Sequence, residues 1–245
     1  MRHEDIQRIY KNHYFTSRRD MGGVKKLVGD VVVIVYFLND IESTWTAGAK
    51  EKFKETNRAA LQYILQSARS RGIDLKIRIS YKEATVPADC EPENYYNWSK
   101  TVIAGIPAFQ QKYEAANNCT EAPILFVLNK KFRSGAVSVD WESRMAGEMS
   151  IISSKATKHT IVHELLHQFG AMDLYYPAEV SKLIKAMGYD SVMGTTVSMH
   201  MDSLTTYLIG WSEEIDDATV CFLEKTKHLT KGYMYSAARK EYGKG

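Results

Sequence analysis

The chain has 245 residues, 44% hydrophobic and 25% charged, a globular composition that excludes a disordered tail, a collagen-like repeat or a disulfide-dense mini-protein. Lys and Arg outnumber Asp and Glu by only 32 to 29, a near balance that argues against nucleic acid as the partner. The longest apolar run, Val31 to Leu38, is far short of the roughly 20 residues a membrane-spanning helix needs.

The N-terminal sequence is polar and acid-bearing and does not read as a secretory signal, so a cytoplasmic protein is expected, or a secreted one whose leader has been removed. Of the three cysteines, Cys90, Cys119 and Cys221, no two form a Cys-x-x-Cys pair. Isolated thiols are expected, with a Cys90–Cys119 bridge as the alternative in a secreted protein.

Residues 1–27 are polar and basic and read as an N-terminal arm or short helix, with Arg18, Arg19, Lys25 and Lys26 on a solvated face. Asp30 to Leu38 is an unbroken β-branched run, the pattern of a strand buried on both faces. Thr46 is placed to cap a long amphipathic helix over 47–70, which stops at Arg71-Gly72. Leu75 to Tyr81 alternates as a second strand. A helix over about 95–116 follows, which Pro107 is expected to kink or split. Pro123–Leu128, Gly135–Trp141 and Glu148–Ser153 read as three further strands. Helices then follow over 157–169, 178–187, 202–210 and 213–227. The order predicts a single α/β (α+β) domain, 1–245, with helices packed on a mixed sheet.

The chemistry is concentrated in the helix over 157–169. His163-Glu164-Leu-Leu-His167 puts two imidazoles four positions apart on one helical face, where both can reach a single cation. Glu164 is placed to approach a water at the same ion. The pattern continues through Gly170 to Asp173, and chance matches to the full ten-residue spacing fall to roughly one chain in ten thousand. Glycine at 170 can take positive φ, end the helix and turn the chain so that Asp173 points back at the metal.

His163-Glu-x-x-His167-x-x-Gly170-x-x-Asp173 resembles the zinc signature of the metzincin metalloproteases, in the form with Asp as third ligand found in small secreted enzymes of the snapalysin type. Ser191-Val-Met193-Gly194 resembles the methionine turn of that clan. The resemblance spans about residues 30–200. It implies an upper lobe over about 28–170 with a twisted mixed sheet, a smaller, mostly helical lower lobe over 171–245, and an active-site cleft between them. It also implies one catalytic Zn2+ held by His163, His167 and Asp173, with a water in the fourth place. Glu164 would be the base that takes the water's proton and passes it to the leaving amine. Met193 would be an apolar floor beneath the ligands.

By the same resemblance, Ala136, Val137, Ser138, Val139, Asp140 and Trp141 form the antiparallel edge strand that pairs with an extended peptide. Thr195–Met201 would wall the pocket beyond the cleaved bond and favour an apolar or aromatic residue there. Thr195 stands where some metzincins place a tyrosine; Tyr189 and Tyr207 are the unranked substitutes. His159 and His200 flank the site but read as surface or core residues, and His3, His13 and His228 fit no ligand spacing.

The expected function is therefore a monomeric zinc endopeptidase acting on a peptide or protein, with an unidentified regulator allowed and neither nucleic acid nor membrane as partner. A metal-dependent hydrolase of a non-protein amide and a zinc-bound peptide-binding module without turnover are the alternatives; an intact Glu164 speaks against the module.

Overall fold

The computed structural model describes residues 1–230, apart from 22, 42, 87–101, 104, 138–147 and 196. It is a mixed α/β protein whose described residues form one five-stranded sheet and seven helices. The strands are β1 (Gly29–Asn39), β2 (Leu75–Thr85), β3 (Ile124–Leu128), β4 (Gly135–Val137) and β5 (Met149–Ser153). Their spatial order is β2-β1-β3-β5-β4. All neighbours run parallel except β4, which pairs antiparallel with β5 at the sheet edge.

The β-branched run in β1 does what its composition dictates. Val31, Val33, Val35 and Phe37 join the core on one face; Val32, Ile34, Tyr36 and Leu38 join the core on the other. Helix α2 (Ala47–Arg69), with its N-terminus capped by the Thr46 hydroxyl accepting from Ala49 N, covers the first face through Phe53, Ala60, Leu61 and Ile64. Helix α3 (Ile106–Asn117) covers the second through Ile106, with Phe109 and Tyr113 packed beside it. The helix expected over about 95–116 is interrupted, as Pro107 implies: Ile103 and Gly105 are not helical, and Pro107 sits in the first turn of α3, where its missing N–H leaves no hydrogen bond unmade. The expected helical residues 95–101 lie outside the described residues.

Helix α4 (Lys158–Gln168) carries the histidine motif and packs beside α2 on the first face. Its C-terminal end is tied to the sheet by buried Gln168, which accepts from Ile124 N and donates to Ile124 O, each at 3.0 Å. Ser150 on β5 donates to the Glu164 carbonyl at 2.7 Å. The helix is thus fixed in both position and rotation. The chain continues through α5 (Ala178–Met187), α6 (Ser203–Leu208) and α7 (Asp217–Thr226).

The first 27 residues are not a detached arm. Helix α1 (His3–Tyr10) and the chain after it bury Ile6, Tyr10, Phe15, Val24 and Leu27. Phe15 packs on Phe222, Tyr10 hydrogen-bonds to Glu224, and Leu27 O accepts from Trp211 Nε1 at 2.7 Å. Arg19, expected on a solvated face, has a side chain only 1% exposed. Its guanidinium lies over the Tyr207 ring at 4.0 Å and pairs with Glu213 at 2.6 Å. A planar cation with a long apolar stem can be buried where an aromatic face and a carboxylate meet, which local charge patterning does not reveal. Cys119 and Cys221 are free thiols; Cys90 lies outside the described residues. None of the described helices is long and apolar enough to cross a membrane.

Candidate metal centre

The site is built on the last two turns of α4 and the chain that leaves it. His163 and His167 share one helical face, and their Nε2 atoms stand 3.2 Å apart. Phe169 ends the helix, and Gly170 then adopts φ +90°. A Cβ at this position would meet the Arg18 carbonyl oxygen at 2.7 Å, so both the backbone angle and the close approach of another segment require glycine. The turn delivers Asp173 to the histidines, with Oδ1 at 3.0 Å from His163 Nε2 and 3.1 Å from His167 Nε2.

The far side of each ring is fixed. His163 Nδ1 donates to Val192 O at 3.0 Å and His167 Nδ1 donates to Ala171 O at 2.8 Å. A carbonyl oxygen only accepts, so each Nδ1 carries a hydrogen, and in the neutral tautomer this leaves the Nε2 lone pair turned toward the neighbouring groups. Asp173 Oδ1, also an acceptor, is fully buried among them and takes no well-formed hydrogen bond. Three acceptors therefore meet within 3.2 Å of one another. One proton can bridge only two of them; a cation can face all three. The contact with the two rings holds Asp173 far below the ordinary carboxylate range, despite burial that opposes it. The Asp173 carboxylate in turn raises His167, again against burial.

Glu164 is 7% exposed and opens onto the same space, with Oε2 4.0 Å from His167 Nε2. Burial raises its pKa, while the neighbouring imidazoles pull it down. His163, Glu164 and His167 form a compact group of potential ligand atoms, but Glu164 stands apart from the closer His163–His167–Asp173 triangle.

The turn at Ser191–Gly194 buttresses the triangle through its backbone. Val192 O accepts from His163, and Met193 O accepts from Leu174 N at 2.9 Å, one residue beyond Asp173. Ser191 Oγ accepts from Met193 N and donates to Asp202, closing the turn. Met193 itself is 1% exposed in the core.

Two cavities, of about 360 and 500 Å³, flank Glu164. The smaller is bounded by Gly135 and Ala136 of the edge strand, together with His167 and Asp173. This places the first part of the expected substrate strand beside the site; Ser138, Val139, Asp140 and Trp141 lie outside the described residues. Thr195 lines the larger cavity, but the methionines expected to wall the pocket do not: Met201 is 3% exposed in the core and Met199 packs against the same core.

Neither tyrosine substitute is at the site. Tyr189 donates to Asp202 or bonds Thr219, and the Tyr207 hydroxyl meets His3 and Gln7. The tyrosine beside the site is Tyr175. Its ring stacks on His163 at 5.9 Å, it lines both cavities, and its hydroxyl interacts with Asp173 and Arg133. His159, one turn before His163, stacks on it at 5.8 Å and lines the larger cavity. The i,i+4 spacing to His163 was the available signal for His159; nothing local marked Tyr175, whose ring arrives through the Gly170 turn.

No family model matches the chain, and no curated protein and no solved structure matches it.

Proposed function

We propose that this protein is a zinc-dependent endopeptidase of metzincin-like architecture, with His163, His167 and Asp173 as metal ligands and Glu164 as general base. The observation that carries the reading is the triangle of three buried acceptor atoms with edges of 3.0 to 3.2 Å. Two ligands of a tetrahedral zinc ion, each about 2.0–2.1 Å from it, lie roughly 3.3 Å apart, so the donor set fits the ion in both type and spacing. The Nδ1–H bonds to Val192 and Ala171 carbonyls are the outer contacts that fix ligand rings in the metal-binding tautomer. When bound, zinc supplies Lewis acidity, making a nearby water acidic near neutral pH and polarising a carbonyl.

The remaining steps belong to the chain. Glu164, facing both cavities, takes a proton from the attacking water and returns it to the leaving amine. The β4 edge at Gly135–Val137 offers main-chain hydrogen bonds to an extended peptide beside the smaller cavity. The cavities on either side of Glu164 accommodate chain on both flanks of the cleaved bond, which supports an endopeptidase over an enzyme acting on chain ends. The sheet-bearing part up to Gly170 and the segment after it correspond to the upper and lower lobes of that architecture.

The test is metal content together with chelator-reversible proteolysis. Purified protein is expected to hold one zinc per chain and to degrade an unfolded protein such as denatured casein. Chelation should abolish the cleavage and added zinc should restore it. Absence of zinc binding would remove the basis of the assignment.

A further inference from the structure

The two cavities share Phe132, Arg133, Ser134, Glu164 and Tyr175, so they meet at the candidate general base. Their charged lining is one-sided. Arg18 borders the smaller cavity, Lys131 and Lys155 border the larger, and Arg133 borders both. Among the described residues the only acids on either wall are Glu164 and Asp173, and Asp173 is already turned to the two histidines. A chain that is nearly neutral overall, 32 cations to 29 acids, thus concentrates cations along one cleft. Lys131, Arg133 and Lys155 are exposed and form no ion pair with a described residue. The aromatic walls of Phe132, Tyr175 and Tyr176 lower the local dielectric and strengthen the field between them.

We propose that this cleft selects peptides with acidic side chains on both flanks of the cleaved bond, with Arg133 as the residue that reads both. The inference rests on the peptidase reading above for the bond that is cut, but its charge argument stands on the cleft lining alone. The guanidinium of Arg133 has five N–H donors, with the Tyr175 hydroxyl close beside it. Enough remain for bidentate recognition of a carboxylate. Lys155 and Lys131 supply the second positive centre on the larger side, Arg18 on the smaller. An acidic peptide suits the site better than a nucleic acid because the β4 edge presents main-chain partners for a peptide backbone.

The experiment uses three series of fluorescein-labelled decapeptides, identical except for Glu, Gln or Lys on both flanks of the cleaved bond. Hydrolysis by zinc-loaded wild type is measured alongside binding to zinc-loaded Glu164→Ala. At low ionic strength the Glu series is expected to exceed the Gln series by about tenfold in both readouts, with the Lys series weakest. The ratio should shrink severalfold in about 0.5 M NaCl, where the Debye length falls to about 4 Å. Arg133→Gln should bring the Glu/Gln ratio close to one, whatever it does to the absolute rate, and Lys155→Gln should reduce it by a smaller factor. Glu and Gln peptides within about twofold of each other, a preference for Lys, or equal displacement by a single-stranded oligonucleotide of matched charge would overturn the proposal. If no peptide is cut while Glu164→Ala still binds the Glu series most tightly, the charge selection holds and hydrolysis fails. If cleavage occurs without charge preference, the reverse is true.

Discussion

His163 Nε2 and Asp173 Oδ1 stand 3.0 Å apart although ten positions separate them in the chain. Two backbone features produce this contact. Gly170 turns the chain back at φ +90°, and the Ser191–Gly194 turn holds both partners, taking a hydrogen bond from His163 at Val192 O and from Leu174 at Met193 O. Neither partner could leave without exposing buried polar groups, so the constellation is preorganised by the fold.

Removing the acidic corner should therefore disable metal binding before it disturbs the fold. Asp173→Ala is expected to weaken zinc affinity by more than about 100-fold, since even outer contacts of metal ligands are typically worth 10- to 100-fold. Competition against a chromogenic chelator reads this directly. Unchanged affinity would place the third ligand elsewhere.

Gly170→Ala should fail for two reasons at once, a positive φ and a Cβ 2.7 Å from the Arg18 carbonyl oxygen. The expected loss is about 2 kcal/mol or more, which lowers the melting temperature by roughly 4–8 °C in a chain of this size. Because the turn delivers Asp173, zinc affinity should fall with it. A variant with unaltered melting and zinc affinity would contradict this account of the turn.

Two buried groups outside the site give opposed pH dependences. Burial lowers His13 to about 4 from its ordinary 6.5. Between those values the unfolded chain binds a proton that the folded chain does not, so this stabilisation is present above about 6.5 and lost as pH falls toward 4. Burial raises Glu121 to about 7 from 4.5, so the folded chain holds the extra proton and stability falls as pH rises from 4.5 to 7. In the wild type the two slopes offset each other over the shared window. Urea unfolding at a series of pH values should show the destabilisation by His13→Gln shrinking as pH falls from 6.5 to 4. It should show Glu121→Gln gaining on wild type as pH rises from 4.5 to 7. Each slope is bounded by about 1.4 kcal/mol per pH unit, the value for one proton. Parallel curves for all three proteins would contradict both assignments.

Much of this was legible locally. The β-branched run of β1, the Thr46 cap and the Ala178–Met187 helix follow from periodicity and capping, and their boundaries agree with the structure to within a residue or two. The 163–173 spacing likewise carried the meeting of His163, His167 and Asp173, because a helix followed by a glycine turn fixes where its side chains go. What was not legible depends on contacts between distant segments. Arg19 is buried because Tyr207 and Glu213 arrive nearly two hundred residues later to receive it. Tyr175 reaches the site, and Tyr189 and Tyr207 do not, because Asp202, Thr219, His3 and Gln7 engage those two elsewhere. Beyond the Ser191–Gly194 turn, Met201 and Met199 pack against the core while Val197 is exposed, which leaves Thr195 and basic side chains at the cleft.

In the proposed mechanism Glu164, beside the His163–His167–Asp173 triangle, drives hydrolysis of peptide bonds. Mass spectrometry of a diverse peptide library, incubated with zinc-loaded wild type and with Glu164→Ala, tests it most directly. Internal cleavages by wild type are expected, lost by about a thousandfold or more in a variant that still holds zinc. Equal product patterns from the two proteins, or intact peptides from a wild type that holds its zinc, would contradict it.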